Sequence, residues 1–341
     1  MSTKKIFWYS LSFLILTLIG FYYLFYVGNI EVQYLLKIRN LDYSFWIIIL
    51  ILMPVVYVVE ALRFYVFARV VDYRLGYFVC LQAAIINFTF SWITPGSTMG
   101  APASSVFFKS KNIPWDMSVL LAFGKSLSGM AFYLVIALPF LIYFYFSKDN
   151  QGLVLQLTLL GIIIFAIPFV IAVITSFKAF NVQGDQESER DSAAKEDVRK
   201  SKFKRYWAGA IQFFRQVMIK LSVIHQNKYR NLVMLFVVHF CYFFLLVSIC
   251  SLVLFQLGSQ SASENGYLSL VYLTINMYAI TPGGAGISEI AAADVFSPPL
   301  TLENTILVAL IFRSVIFYFQ IIVGYVYLLF KWLLLFKKVS D

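Results

Sequence analysis

Six long apolar stretches run through this chain, at residues 6–27, 45–68, 117–146, 152–177, 231–257 and 305–336. A helix that spans a bilayer takes about 20 predominantly apolar residues, and each stretch is long enough. In hydrocarbon every backbone polar group must find its partner within the protein, so stretches of this kind fold as helices. The expected fold class is an all-α polytopic membrane protein with six spanning helices. Composition agrees, since 61% of the 341 residues are hydrophobic and only 13% charged, against roughly 25% charged in a soluble domain. Nothing here is large enough for a separate soluble catalytic domain, and 1–341 reads as one membrane domain.

The first stretch follows Lys4 and Lys5, which also fits a cleaved signal peptide. Its 22 residues exceed the roughly 7–15 of a signal h-region and no small-x-small cleavage site follows, so it is expected to stay as a helix. Cys80, Cys241 and Cys250 lie in apolar stretches without CxxC or Cys/His spacing, which argues against a zinc site or a disulfide framework.

Two further apolar stretches, 76–111 and 267–295, are broken by Pro-Gly into shorter runs. Read as re-entrant hairpins that enter and leave on one side, they resolve the charge count. Lys4, Lys5, Arg63, Arg69, Arg74, Lys109, Lys111, the twelve basic residues of 178–230, Lys331, Lys337 and Lys338 then all fall inside, 22 of 27. Lys37, Arg39 and Lys148 fall outside. Basic residues near helix ends mark the cytoplasmic side, so both termini and the 178–230 loop are expected in the cytoplasm. The formal charge of +10 is thus an orientation signal, and no nucleic-acid partner is expected. Within the loop, 183–200 has the composition of a disordered segment. Trp207, Ile211, Phe214, Met218 and Leu221 then recur at spacings of four and three, as in a basic amphipathic helix on the inner membrane surface or a helical extension of the next span.

The two broken stretches resemble each other. One carries Asn87, then Thr94-Pro95-Gly96 and Gly100; the other carries Asn276, then Thr281-Pro282-Gly283-Gly284 and Gly286. Each is preceded by a span and followed by one with a cation, Lys125 thirty residues after Pro95 and Arg313 thirty-one after Pro282. The chain therefore reads as span, span, hairpin, span, twice over: 1–146, then 152–336 with 178–230 inserted. Three crossings per unit invert the second copy, a pattern of transporters that bind substrate at the repeat interface. Proline removes a backbone donor and glycine reaches positive φ, so together they turn the chain inside the bilayer. Irregular backbone at that depth has to be buried or line a wet cavity. Asn87 and Asn276 are placed to satisfy the backbone groups that the turns free. Ordinary Pro-kinked helices packed by small residues are the alternative.

Lys125 lies nine residues past Asp116 and Arg313 ten past Glu303, which puts both roughly 13–15 Å deep, near the middle of a core about 30 Å thick. Ionisable groups there are expensive and mark pathways. Glu289, and Glu60 with Arg63, complete the set; a packing ion pair such as Glu289 with Arg313 is the plainer reading. His239 reads as a packing or interfacial residue. There is no phosphate-binding Gly-rich loop with Lys, no HExxH, no GxSxG and no acidic cluster, so neither an enzyme, a metal nor a cofactor is expected.

These residues resemble the membrane region of lysylphosphatidylglycerol synthases and their stand-alone flippase-like relatives. The resemblance covers nearly the whole chain, with Asn87, Pro95, Gly100 and Lys125 at family positions in the first half and Pro282, Gly283, Gly284, Gly286, Glu289 and Arg313 in the second. Where the family often has a second Gly and an Arg after the first turn, this chain has Ala101 and, later, Lys109. The aminoacyl-transfer domain of full synthases is not expected in a chain that reaches Asp341 a few residues past its last span. The resemblance implies a protein of a prokaryotic cytoplasmic (inner) membrane. It implies movement of a phospholipid or polyprenyl-phosphate-linked lipid between leaflets, with Lys125, Arg313, Glu289, Asn87 and Asn276 along the path. A non-transporting scaffold, or a lipid-presenting partner of a membrane enzyme, is the alternative; a small-solute carrier is a weaker third.

Overall fold

Long apolar runs become long helices here, and the Pro-Gly passages are where helices stop. The structure is a computed structural model and describes residues 38–39, 41–94, 99–147, 229–277, 279, 281, 284, 286–297 and 300–340. The expected spans at 6–27 and 152–177, the 178–230 loop, and Pro95, Gly96, Pro282 and Gly283 lie outside the described residues. In the first half, α1 is Tyr43–Val70, α2 Tyr77–Ile93, α3 Gly100–Ser110 and α4 Trp115–Ser147. In the second, α5 is Tyr229–Gln256, α6 Ala262–Met277, α7 Ile287–Phe296 and α8 Leu302–Phe312. A π-helical turn, Arg313–Tyr318, then joins α8 to α9, Phe319–Ser340. Every regular element among the described residues is helical.

Four segments are long and apolar enough to cross a membrane: Tyr43–Val70, Trp115–Phe144, Tyr229–Gln256 and Glu303–Lys331. They match the four expected spans that fall on described residues. At 1.5 Å per residue the 28 residues of α1 reach about 42 Å. The helices around the turns are shorter, 17 and 11 residues for α2 and α3 and 16 and 10 for α6 and α7. None reaches the roughly 30 Å of a hydrocarbon core alone. α2 packs against α3, and α6 against α7. The order long helix, helix, turn, helix, long helix thus occurs twice.

Thr94 holds the first turn, its hydroxyl donating to the Phe90 carbonyl (2.7 Å) and accepting the Met99 N–H (3.1 Å). Across that turn, a Cβ on Gly100 would stand 1.9 Å from Ser91 Oγ and 2.9 Å from the Asn87 carbonyl oxygen. In the second turn, the Gly284 N–H donates to the Thr281 carbonyl (3.0 Å). Gly284 and Gly286 there have φ of +72° and +81°, a region that residues with a Cβ rarely enter.

The halves meet along a seam in which α1 packs on α5 and α9 packs on α2. In that seam Tyr57 meets Phe88 edge to face and Phe88 stacks on Tyr242, with ring centroids 5.3 and 6.4 Å apart. Ile47, Ile48, Leu50 and Ile51 on α1, Phe236, Phe240 and Phe244 on α5, and Ile322, Val326 and Phe330 on α9 are exposed. Apolar faces of this extent belong against lipid. The chain is an integral membrane protein.

Candidate functional site

The expensive residues of this sequence are its ionisable groups within spans, and the structure gathers them into two buried clusters. Glu60 and Arg63 face the same side of α1 because three residues make nearly one helical turn. Arg63 Nη1 donates to Glu60 Oε2 at 2.6 Å. Lys125, ten residues into α4, donates to the other oxygen of Glu60. The three residues are 1–5% exposed. Aromatic faces replace water around the cations: Lys125 Nζ lies 4.2 Å from the Phe64 ring centre, and Arg63 Cζ 4.3 Å from that of Tyr242. Two cations share one carboxylate, so this cluster carries one formal positive charge.

The position of this cluster follows from where the apolar core divides. Tyr57 and Tyr133 belong to the larger core, with α5 to α8; Ala61 and Ala122 belong to a smaller one with α2 and α3. Glu60 and Lys125 lie between those positions in α1 and α4, and Arg63 follows just past Ala61. His239 joins them from α5, its Nε2 3.1 Å from Ser128 Oγ.

The second cluster ties the second turn to the last span. Glu289 sits in the first turn of α7, where a carboxylate is favoured by the positive end of the helix. Its Oε2 accepts the Gly286 N–H at 2.8 Å, while Oε1 accepts from Arg313. Both residues are essentially inaccessible, 0% and 1% exposed. Arg313 also lies over the Phe317 ring, 4.8 Å from its centre. It opens the π-helical turn, and such turns recur at functional sites in helices.

Sequence reasoning placed Lys125, Arg313 and Glu289 in the membrane interior, and all three are buried. The Glu289–Arg313 pair, given above as the plainer reading, is present, and Lys125 meets Glu60. Asn87 donates to Ser104 Oγ of α3 (3.4 Å), so it braces the two arms of the hairpin. Asn276 donates to the Tyr272 carbonyl one turn back (2.8 Å), and its Oδ1 lies 3.2 Å from where a Gly284 Cβ would stand. The freed backbone at the turns was the expected partner of both. Sequence reasoning also missed Gln320, which accepts from Trp92 Nε1 and whose carbonyl accepts from the Tyr57 hydroxyl (3.4 Å). A glutamine seven residues past Arg313 on a span was its signal. Among the described residues no three of His, Cys, Asp and Glu come close enough to hold a metal ion.

The arrangement puts buried positive charge inside apolar helices and ties the second Pro-Gly turn to the last span through Glu289 and Arg313. Comparison with curated proteins and with solved structures finds no match. The family model described as "Lysylphosphatidylglycerol synthase TM region" matches residues 8–324, most of the chain, and the protein belongs to that family.

Proposed function

We propose that this protein moves an anionic, phosphate-bearing lipid between leaflets of a prokaryotic cytoplasmic membrane. The supporting observation is the Glu60–Arg63–Lys125 cluster, which keeps one net positive charge buried among apolar helices. A phosphate crossing hydrocarbon unaided loses its hydration at a cost of many kcal/mol, and a buried cation offsets that loss. Family membership supports a membrane role in lipid handling. The α2–α3 and α6–α7 pairs are read as re-entrant hairpins of an inverted repeat, with both termini cytoplasmic. Lys125, Arg313, Glu289, Asn87 and Asn276 line or brace the path. The role is transport rather than catalysis. Its drive would be a lipid gradient, an ion gradient or a partner protein.

The test is reconstitution into vesicles with a headgroup-labelled phosphatidylglycerol and a quencher that cannot cross the bilayer. Transport predicts that label in the inner leaflet becomes quenchable faster than in protein-free vesicles. Equal rates would leave the scaffold or lipid-presenting reading in its place.

A further inference from the structure

A groove of about 210 Å³ lies between α4 and α5, lined by Ser128, Phe132, Leu232, Leu235, Phe236 and His239. It is smaller than the roughly 300–1,000 Å³ of a site enclosing a whole small molecule, so it admits part of a ligand. Its walls are apolar, and Phe236 is 58% exposed on a face turned to lipid. Its polar end is the Ser128–His239 pair, 3.1 Å apart. His239 lies ten residues past Tyr229, about 15 Å along α5 and so near mid-depth.

Behind that polar end stands the charged cluster. Gly129 forms the partition, and it has no side chain to close it. A Cβ there would stand 1.9 Å from Arg63 Nη2 and 3.4 Å from His239 Nε2. Ser128 also donates to the carbonyl of Lys125 (2.9 Å). Arg63 Nε is buried with no hydrogen-bond partner, and the same guanidinium lies against Gly129 through Nη2.

We propose that this groove is the lateral portal of the protein, where an anionic phospholipid from the bilayer inserts its phosphate toward Ser128, His239 and Arg63 while its chains stay outside Phe132 and Phe236. An apolar slit with a polar end at mid-depth is the reverse of what a resting lipid needs, because a resting lipid keeps its phosphate at the interface. It suits a headgroup drawn inward, and the net positive charge behind Gly129 selects an anionic one over a zwitterionic one. The inference deepens the lipid-transport reading but is measured by binding.

The experiment places a tryptophan at the portal, Phe236→Trp, and a control on the lipid-facing side of α9, Ile322→Trp, away from any basic residue in the chain. Each is reconstituted in phosphatidylcholine vesicles containing chain-brominated phosphatidylglycerol or chain-brominated phosphatidylcholine. Fluorescence is read as a difference from the unsubstituted protein. Quenching at position 236 should favour phosphatidylglycerol by about fivefold in apparent affinity, what one basic charge adds to attraction of anionic lipid. Position 322 should show no such preference. Adding Lys125→Gln to Phe236→Trp, which removes the net positive charge behind Gly129, should abolish the preference. Equal preference at 236 and 322, or a preference that survives the Lys125→Gln change, would overturn the portal. Relief of quenching by millimolar inorganic phosphate would also overturn it, making the ligand a free anion. Selection at 236 in a protein that moves no lipid would remove the transport reading and leave the portal standing. Lipid movement without selection at 236 would do the opposite.

Discussion

Glu289 and Arg313 bind the second Pro-Gly turn to the last span: one carboxylate oxygen accepts the Gly286 N–H and the other accepts from Arg313. The turn, the start of α7 and the π-helical turn at Arg313 are thereby one mechanical unit. A buried carboxylate left without its cation typically costs 3–5 kcal/mol, whereas a pair replaced as a whole costs far less. Arg313→Gln should therefore lower the thermal-unfolding midpoint in detergent markedly, and Glu289→Gln with Arg313→Gln should recover most of the loss. A double variant no better than the single would mean that the pair contributes little.

Gly286 and Gly266 should respond in opposite directions to alanine. Gly286 has φ +81°, where a Cβ is strained even though open space surrounds it, at a cost of about 1–3 kcal/mol. Gly266 lies within α6 with nothing near its missing Cβ, and there alanine is better than glycine by roughly 0.5–1 kcal/mol. Thermal unfolding of Gly286→Ala and Gly266→Ala should fall on either side of the parent protein. Equal tolerance would remove the conformational account of the turn.

The expected orientation is tested on the two ends of one helix. Tyr229 opens α5, and Ser263 is the second residue of α6, just beyond the far end of α5; both are exposed. On a background with Cys80, Cys241 and Cys250 replaced, single cysteines at 229 and 263 should react with an impermeant thiol reagent from opposite faces. Ser263→Cys should label in intact cells and Tyr229→Cys only after lysis. Labelling of both from outside would reverse the charge argument.

Long elements were legible in the sequence because a span is a statement about 20 or more residues at once. Helices α1, α4 and α5 begin and end within a few residues of where the apolar runs do. The paired shorter helices were legible through their Pro-Gly breaks. Partner choice was not. Glu60 pairs with Lys125 across 65 positions in the chain, and hydrophobic patterning carries no information about which helix faces which. The same holds for Trp92 and Gln320, which join the end of α2 to the last span across 228 positions. The π-helical turn at Arg313 has no local composition that marks it, since Phe312 to Tyr318 reads as ordinary span. Positive φ was expected at Gly96 and Gly283, which lie outside the described residues. Among the described residues of the second turn, Gly284 and Gly286 have it.

Lys125 and Arg313, two of the buried cations, should separate stability from lipid movement. Lys125 is the second cation on Glu60, so Lys125→Gln leaves the Glu60–Arg63 pair intact and formally neutral, with no uncompensated carboxylate. Arg313→Gln takes from Glu289 the cation that its free oxygen meets. Stability should therefore change little for Lys125→Gln and fall for Arg313→Gln. Transport should show the reverse emphasis: Lys125→Gln removes the one net positive charge of the first cluster and should slow phosphatidylglycerol movement by about tenfold or more, the effect of roughly 1.4 kcal/mol on a barrier. Lys125→Arg keeps the charge but exchanges a compact ammonium for a planar fork, so it should retain part of the rate. Both measurements come from one preparation, unfolding in detergent and quenching in vesicles. Should Lys125→Gln move lipid at the unsubstituted rate, the net charge at Glu60 is structural and the headgroup path lies elsewhere.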